Sequence, residues 1–187
     1  MITKRSFFLS AAAALATTST PALAHHTKQY KQRVRDLAPR SVRFSGYAVG
    51  TVVVDPRNHF LYLVESQGRA RRYMVGVGRA GRAFKGSARI GRKAKWPSWT
   101  PTQNMIRREP QKYARFAGGV PGGPGNPLGA RALYLYRGSR DTYYRIHGTN
   151  APSSIGRSVS NGCIRMLNEH VTDLYTRVRV GARVVVI

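Results

Sequence analysis

The chain has a single cysteine, Cys163, and it lies in "HGTNAPSSIGRSVSNGCIRM", His147 to Met166. A thiol that only filled space would be expected inside an apolar run, where cysteine behaves as a small hydrophobe. This one follows Ser160-Asn161-Gly162, a turn-forming tripeptide. A cysteine nucleophile needs a base to form thiolate, and histidine is the usual one. The candidate is His147, at the end of "TYYRIHG", where a strand terminus can aim a side chain into a cleft. Pairing with imidazolium or with backbone N–H groups lowers a thiol pKa from its free value of about 8.5. Gly162 lets backbone N–H groups turn toward a developing oxyanion. These residue types point to a Cys/His enzyme. The competing reading is a buried inert thiol and a histidine bonded to a backbone carbonyl.

Other chemistries fit less well. One cysteine cannot build a disulfide framework within the chain. The histidines, at 25, 26, 59, 147 and 170, show no H-E-x-x-H spacing, so no metal site is expected. "GVGRAG", Gly76 to Gly81, matches G-x-G-x-x-G. A dinucleotide site also needs a following helix and an acidic residue about 20 positions on. "RAFKGSARIGRK" is a poor helix, and no Asp or Glu occurs between Glu65 and Glu109. "GGVPGGPG" lacks the G-K-[ST] ending of a phosphate loop. It reads as a mobile loop or, more sharply, a lid over a groove.

The chain begins like an exported protein. "MITKRSFFLSAAAALATTSTPALA" has Lys4 and Arg5, an apolar run from Phe7 to Ala16, and an A-x-A ending at Ala22-Leu23-Ala24. The run is too short for a stable membrane span. Residues 1–24 are therefore read as a cleaved signal peptide, by the general or the twin-arginine route, with a periplasmic or cell-envelope destination. Residues 25–45 read as a basic arm and 46–187 as the domain. The net charge of +25 is spread along the whole length and attracts polyanions. Nucleic acid is not expected as a partner for an exported chain. Carboxylate-rich wall peptides and phosphate-bearing lipids are the anions it would meet.

The elements that must position the two residues are mostly strands. "YAVGTVVVD" and "HFLYLVES" are β-branched and aromatic, separated by the turn signal "DPRN". "ARRYMVGVG", "RALYLYRG", "TYYRIHG" and a closing "RVVVI" follow. "QNMIRR" and "NEHVTDLYTRV" read as helices, the second with Asn168 as N-cap and Val171, Leu174, Tyr175 and Val178 at helical spacing. The expected class is mainly β: a small sandwich or barrel-like domain with short peripheral helices and long Gly/Pro loops.

The cysteine stretch resembles the catalytic domain of the L,D-transpeptidases (YkuD-like), whose signature is similar to H-G-T-x-x-P-x-x-I-G-x-x-x-S-x-G-C-I-R-[LM]. This chain supplies His147, Gly148, Thr149, Pro152, Ile155, Gly156, Ser160, Gly162, Cys163, Ile164, Arg165 and Met166 in register. The likeness extends to "GTVVVD", "YMVGVGRAG", "KWPSWTPTQNM" and "GGPGNPLGARALYL", roughly Gly46 to Ile187. It departs at Asn161, where many members carry a second histidine. The resemblance implies a β-sandwich and a two-step reaction on peptidoglycan stem peptides without cofactor. In it Cys163 is the nucleophile, His147 the proton acceptor and donor, and the Gly148 carbonyl the orienter of His147. The N–H groups of Gly162 and Cys163 would form the oxyanion hole. Arg165, Ser160, Asn161 and Tyr144 would bind substrate, with Trp96 and Trp99 as further groove candidates. The acceptor would be a second stem peptide or a lysine of an envelope protein. Water as acceptor would give a carboxypeptidase. A non-catalytic wall-binding module is the remaining alternative.

Overall fold

The computed structural model describes residues 37–187, which form one compact unit, Leu37–Ile187. The expected leader and most of the basic arm lie outside the described residues. The strands are β1 (Arg40–Arg43), β2 (Val52–Asp55), β3 (Phe60–Ser66), β4 (Arg69–Met74), β5 (Val77–Gly78), β6 (Gly86–Lys95), β7 (Arg131–Arg137), β8 (Arg140–His147), β9 (Ser158–Ser160), β10 (Ile164–Arg165) and β11 (Arg183–Val186). Among the described residues the helices are α1 (Gln103–Arg108), α2 (Pro110–Tyr113) and α3 (Asn168–Arg177), with two short 3-10 turns.

Nine strands make one sheet in the order β1-β4-β3-β2-β11-β6-β7-β8-β10, and β5 pairs with β9 in a second, two-stranded sheet. The mainly β class is the one expected, and the large sheet stays open rather than closing into a barrel. The pairings β11–β2 and β10–β8 are parallel, and the other pairs of the large sheet are antiparallel. β2 reads "VVVD", and its three valines are buried on both faces, as its central place requires. One face carries the core: Leu61, Leu63, Ile90, Leu133, Leu135, Ile146 and Val184 pack with Tyr73 and with Val171 and Leu174 of α3. Burial of each such aliphatic side chain contributes about 1.5–3 kcal/mol.

Three details depart from the sequence reading. β6 was not expected, because "GSARIGRKAK" has glycines and cations where a strand usually shows alternating apolar residues; only Ile90 in it is fully buried. Gly91 sits at a bulge in β6, where a Cβ would lie 2.4 Å from the Tyr136 ring. Residues 40–43, expected in the arm, form the edge strand β1 against β4. Asn168 is not the N-cap of α3; the cap is Leu167, without a side-chain bond. Asn168 instead turns its Oδ1 to the Ala130 and Thr149 N–H groups, at 3.0 and 3.1 Å.

The glycine-rich run from Gly76 leads through β5 and a turn into β6, not into a helix, which removes the dinucleotide geometry. The "GGVPGGPG" loop is tied down by Asn126, whose Nδ2 donates to the Val120 and Pro121 carbonyls and whose Oδ1 accepts from the Leu128 N–H.

Candidate active site

His147 closes β8, and Cys163 immediately precedes β10, the parallel neighbour of β8. The register pairs Ile164 with Ile146 and Arg165 with His147. One residue thus stands at a strand end and the other at the tip of the β9–β10 turn, on the same edge of the large sheet.

The histidine is held by the sheet. Ala132 on β7 and Arg165 on β10 flank it, its carbonyl accepts the Met166 N–H at 2.8 Å, and the Gly148 N–H donates to the Arg131 carbonyl at 3.0 Å. The ring is buried, and Nδ1 hydrogen-bonds the Gly148 carbonyl. A carbonyl only accepts, so Nδ1 carries the proton and Nε2 is left as the basic nitrogen. Gly148 must be glycine: a Cβ there would lie 2.2 Å from Asn168 Oδ1.

The cysteine is held by side chains. Ser160, buried, accepts the Gly162 N–H at 3.1 Å and donates to the Cys163 carbonyl at 2.6 Å. Gly162 has φ +129°, and a Cβ on it would lie 2.5 Å from the Arg82 carbonyl and 2.5 Å from Tyr144 Cε1. Asn161 donates from Nδ2 to the Tyr113 hydroxyl and accepts from Arg82 Nη1, both at 2.8 Å. Arg82, with Arg79 and Lys112, surrounds Glu109 at 3.6, 4.0 and 3.5 Å respectively. Tyr113 is packed edge-on against Trp99, which also meets Phe116.

Electrostatics sets the resting state. Burial, helped by the Arg165 charge, lowers the His147 pKa to about 3, against the opposing pull of the Gly148 carbonyl. Burial raises the Cys163 pKa, partly offset by the Arg145 N–H at the sulfur and by the Arg145 and Arg165 guanidiniums. Near neutral pH the free protein therefore holds Cys163 as a thiol and His147 as a neutral imidazole. The lowered thiol pKa expected from the residue types is not found, because desolvation outweighs the nearby positive charges.

Cys163 opens onto a groove of about 790 Å³, walled by Thr100–Met105, Arg108 and Glu109 on one side and Thr142–Arg145 on the other, with Arg82 and Asn161 between. The glycine-rich loop expected as a lid does not line it, and neither Trp96 nor Trp99 does. Tyr144 does: its hydroxyl donates to the Arg82 carbonyl at 3.3 Å and its ring rests against Phe84.

Several expected roles change on this geometry. Ser160 has its hydroxyl fully engaged and faces the loop rather than the groove. The Gly162 N–H is occupied by Ser160, which leaves the Cys163 N–H, without an acceptor among the described residues, as the remaining oxyanion donor of the pair. Arg165 stands half-buried beside His147 and pairs with no carboxylate among the described residues. Tyr143 was missed by the sequence reading. It is 73% exposed at φ +60°, places its carbonyl 3.9 Å from Cys163 Sγ, and donates its N–H to Asp141 Oδ1 at 2.8 Å. Nothing in "DTYYRIH" separates it from Tyr144; the register shift between β7 and β8 does. His59 and His170 stand apart: His59 Nε2 meets Ser158 Oγ at 2.9 Å, and His170 lies on α3.

Comparisons with known proteins show the family to which the chain is similar. The family model for the YkuD L,D-transpeptidase catalytic domain matches residues 50–186. A probable L,D-transpeptidase, ErfK/SrfK of Escherichia coli (strain K12), is 40% identical over 117 residues, 62% of this chain and 36% of its own length. The match thus spans about a third of that relative. A putative L,D-transpeptidase encoded in the ATP synthase subunits region of Fuscovulum blasticum is 35% identical over 199 residues, covering 95% of this chain and 92% of its own. The crystal structure of a probable carnitine operon oxidoreductase from Brucella melitensis is 56% identical, with TM-score 0.56, covering 80% of this chain and 93% of that one.

Proposed function

The chain belongs to the YkuD family of L,D-transpeptidase catalytic domains, and on that premise we propose that it is an exported acyltransferase of peptidoglycan stem peptides with Cys163 as nucleophile. The observation that carries the reading is the His147 Nδ1–Gly148 carbonyl bond, which bares Nε2 at a strand end beside the cysteine turn.

The reaction runs through two tetrahedral intermediates. The Cys163 sulfur bonds to the carbonyl carbon of the diamino acid at the third stem position while its proton passes to His147 Nε2. The peptide C–N bond breaks, terminal D-alanine leaves with the imidazolium proton, and a thioester remains. An acceptor amine then attacks the thioester, loses a proton to Nε2, and the C–S bond breaks to restore the thiol. The Cys163 N–H faces the developing oxyanion. With the thiol protonated and the imidazole neutral at rest, Nε2 is free to take the sulfur's proton.

The groove suits an anionic stem. Arg82, Arg108 and Arg145 line it; Arg82 is paired with Glu109 and Arg145 with Asp141, while Arg108, and Arg165 outside the groove wall, have no acidic partner among the described residues. Arg165 binds a stem carboxylate, as a guanidinium does in bidentate fashion. Tyr144 and Asn161 shape the wall. The leader delivers the chain to the envelope, which N-terminal sequencing of the mature protein, starting at His25, would support.

Incubation with purified disaccharide-tetrapeptide followed by mass spectrometry tests the function. The reading expects a cross-linked dimer and free D-alanine. Tripeptide without dimer would make water the acceptor, and unchanged substrate would overturn the enzymatic reading in favour of a binding module.

A further inference from the structure

We propose that a basin on the sheet, separate from the cysteine groove, binds a phosphate group through Arg89, Arg137 and Arg183. The basin, about 430 Å³, is bounded by Ser87–Arg89, Tyr136–Gly138 and Arg183, and shares no lining residue with the groove at Cys163. It has no carboxylate in its wall.

The register supplies the first argument. Arg183 on β11 stands directly opposite Arg89 on β6. Like charges in that relation repel and destabilise a sheet. Some arginines of the fold are neutralised, Arg71 by Glu65, Arg145 by Asp141 and Arg177 by Asp173, while others, as in the Arg40–Arg72 pair of β1 and β4, face a like charge. Among the described residues none of Arg89, Arg137 and Arg183 has an acidic partner.

The second argument is that carbonyls orient two of these side chains without cancelling their charge. Arg137 donates Nε to the Ser87 carbonyl at 3.1 Å and Nη2 to the Lys85 carbonyl, and its guanidinium lies 4.8 Å over the Phe84 ring. Arg89 donates Nη2 to the Gly138 carbonyl at 2.9 Å. The Nη1 groups of both, and the whole Arg183 guanidinium, have no acceptor among the described residues. Two held guanidiniums and a third free to turn toward them, all lining one hollow, match a tetrahedral dianion, whose oxygens can meet several forks at once, better than a singly charged planar carboxylate.

The test uses the mature chain and the variants Arg183→Gln and, as a control for net charge, the exposed turn residue Arg57→Gln. Thermal unfolding is followed at constant ionic strength with inorganic phosphate replacing chloride. Binding to phosphatidylcholine vesicles with and without phosphatidic acid is measured by sedimentation. Wild type should gain stability with phosphate, while Arg183→Gln should melt higher than wild type in chloride and bind phosphate about tenfold more weakly. Arg57→Gln should behave as wild type. Loss confined to free phosphate or to vesicles would assign the phosphate to a soluble or a membrane-borne carrier; loss in both would mean that either is accepted. Equal responses of wild type and Arg183→Gln in both assays, or equal weakening by Arg57→Gln, would overturn the site.

Discussion

The two halves of the proposed active site are held in place by different means. His147 ends a strand that is paired on both sides, so its position follows from the ladder of the large sheet. Cys163 rides on a turn whose shape depends on one serine hydroxyl, one glycine with φ +129° and the Asn161–Arg82–Glu109 chain of polar contacts. A ladder spreads its constraint over many bonds, whereas a side-chain-locked turn concentrates it in a few. Damage to the turn should therefore cost activity before stability, and damage behind the histidine should cost stability first.

Gly162→Ala should break the comparison most severely. The added methyl meets the Arg82 carbonyl and the Tyr144 ring, so the turn must shift and Cys163 with it. Displacement of a nucleophile by about 1 Å costs on the order of a hundredfold in rate. Acylation by the tetrapeptide should fall by at least that much, with little change in Tm; unchanged acylation would show that the turn adapts freely. Ser160→Ala, which removes the two bonds of the same turn without a clash, should lower acylation about tenfold.

On the histidine side the matching substitution is Asn168→Ala. It strands the Ala130 and Thr149 N–H groups, and each buried unsatisfied group costs about 1–3 kcal/mol. Thermal unfolding should show the loss clearly, while the acylation rate of the folded fraction should change less than in Ser160→Ala. The reverse ranking would mean that the two halves are not held differently.

A finer contrast lies in the Arg145–Asp141 pair beside the sulfur, with nitrogen–oxygen contacts at 2.7 and 3.0 Å. The guanidinium lowers the Cys163 pKa and the carboxylate raises it. Alkylation by iodoacetamide should shift to higher pH in Arg145→Gln and to lower pH in Asp141→Asn. Shifts of the same sign would remove the charge argument.

The smallest effect concerns His170, buried with an unpartnered Nδ1. Burial lowers its pKa below 6.5, so the unfolded chain binds the proton more readily. Stability should fall as pH drops below about 6.5, and His170→Leu should reduce that acid loss, by about 1 kcal/mol or less at pH 5. His147 adds to the same slope, so the variant flattens the curve without abolishing it.

The legible part of the molecule was the part written in residue types. Gly162, Gly148 and the His/Cys spacing are visible because close approach and positive φ demand particular residues. The strands rich in β-branched or aromatic residues, such as β2, β7 and β11, were visible from residue type as well. What stayed hidden depends on partners distant in sequence. β6 is basic and glycine-containing, and only its neighbours β11 and β7 make it a strand. Ser160 read as a substrate ligand because its bonds to Gly162 and Cys163 are features of the folded turn. Asn168 read as a cap because nothing local announces that Ala130 lies above it. The raised thiol pKa is a property of burial, which no spacing encodes.

The most direct test of the central claim, that Cys163 is acylated with His147 as base, is intact mass measurement of the mature protein during reaction with disaccharide-tetrapeptide. The account predicts a transient adduct equal to the substrate less D-alanine, mapped to Cys163 by peptide fragmentation, absent from Cys163→Ala and slowed at least a hundredfold in His147→Ala. An adduct that persists on Cys163→Ala, or one that forms at the wild-type rate in His147→Ala, would contradict it.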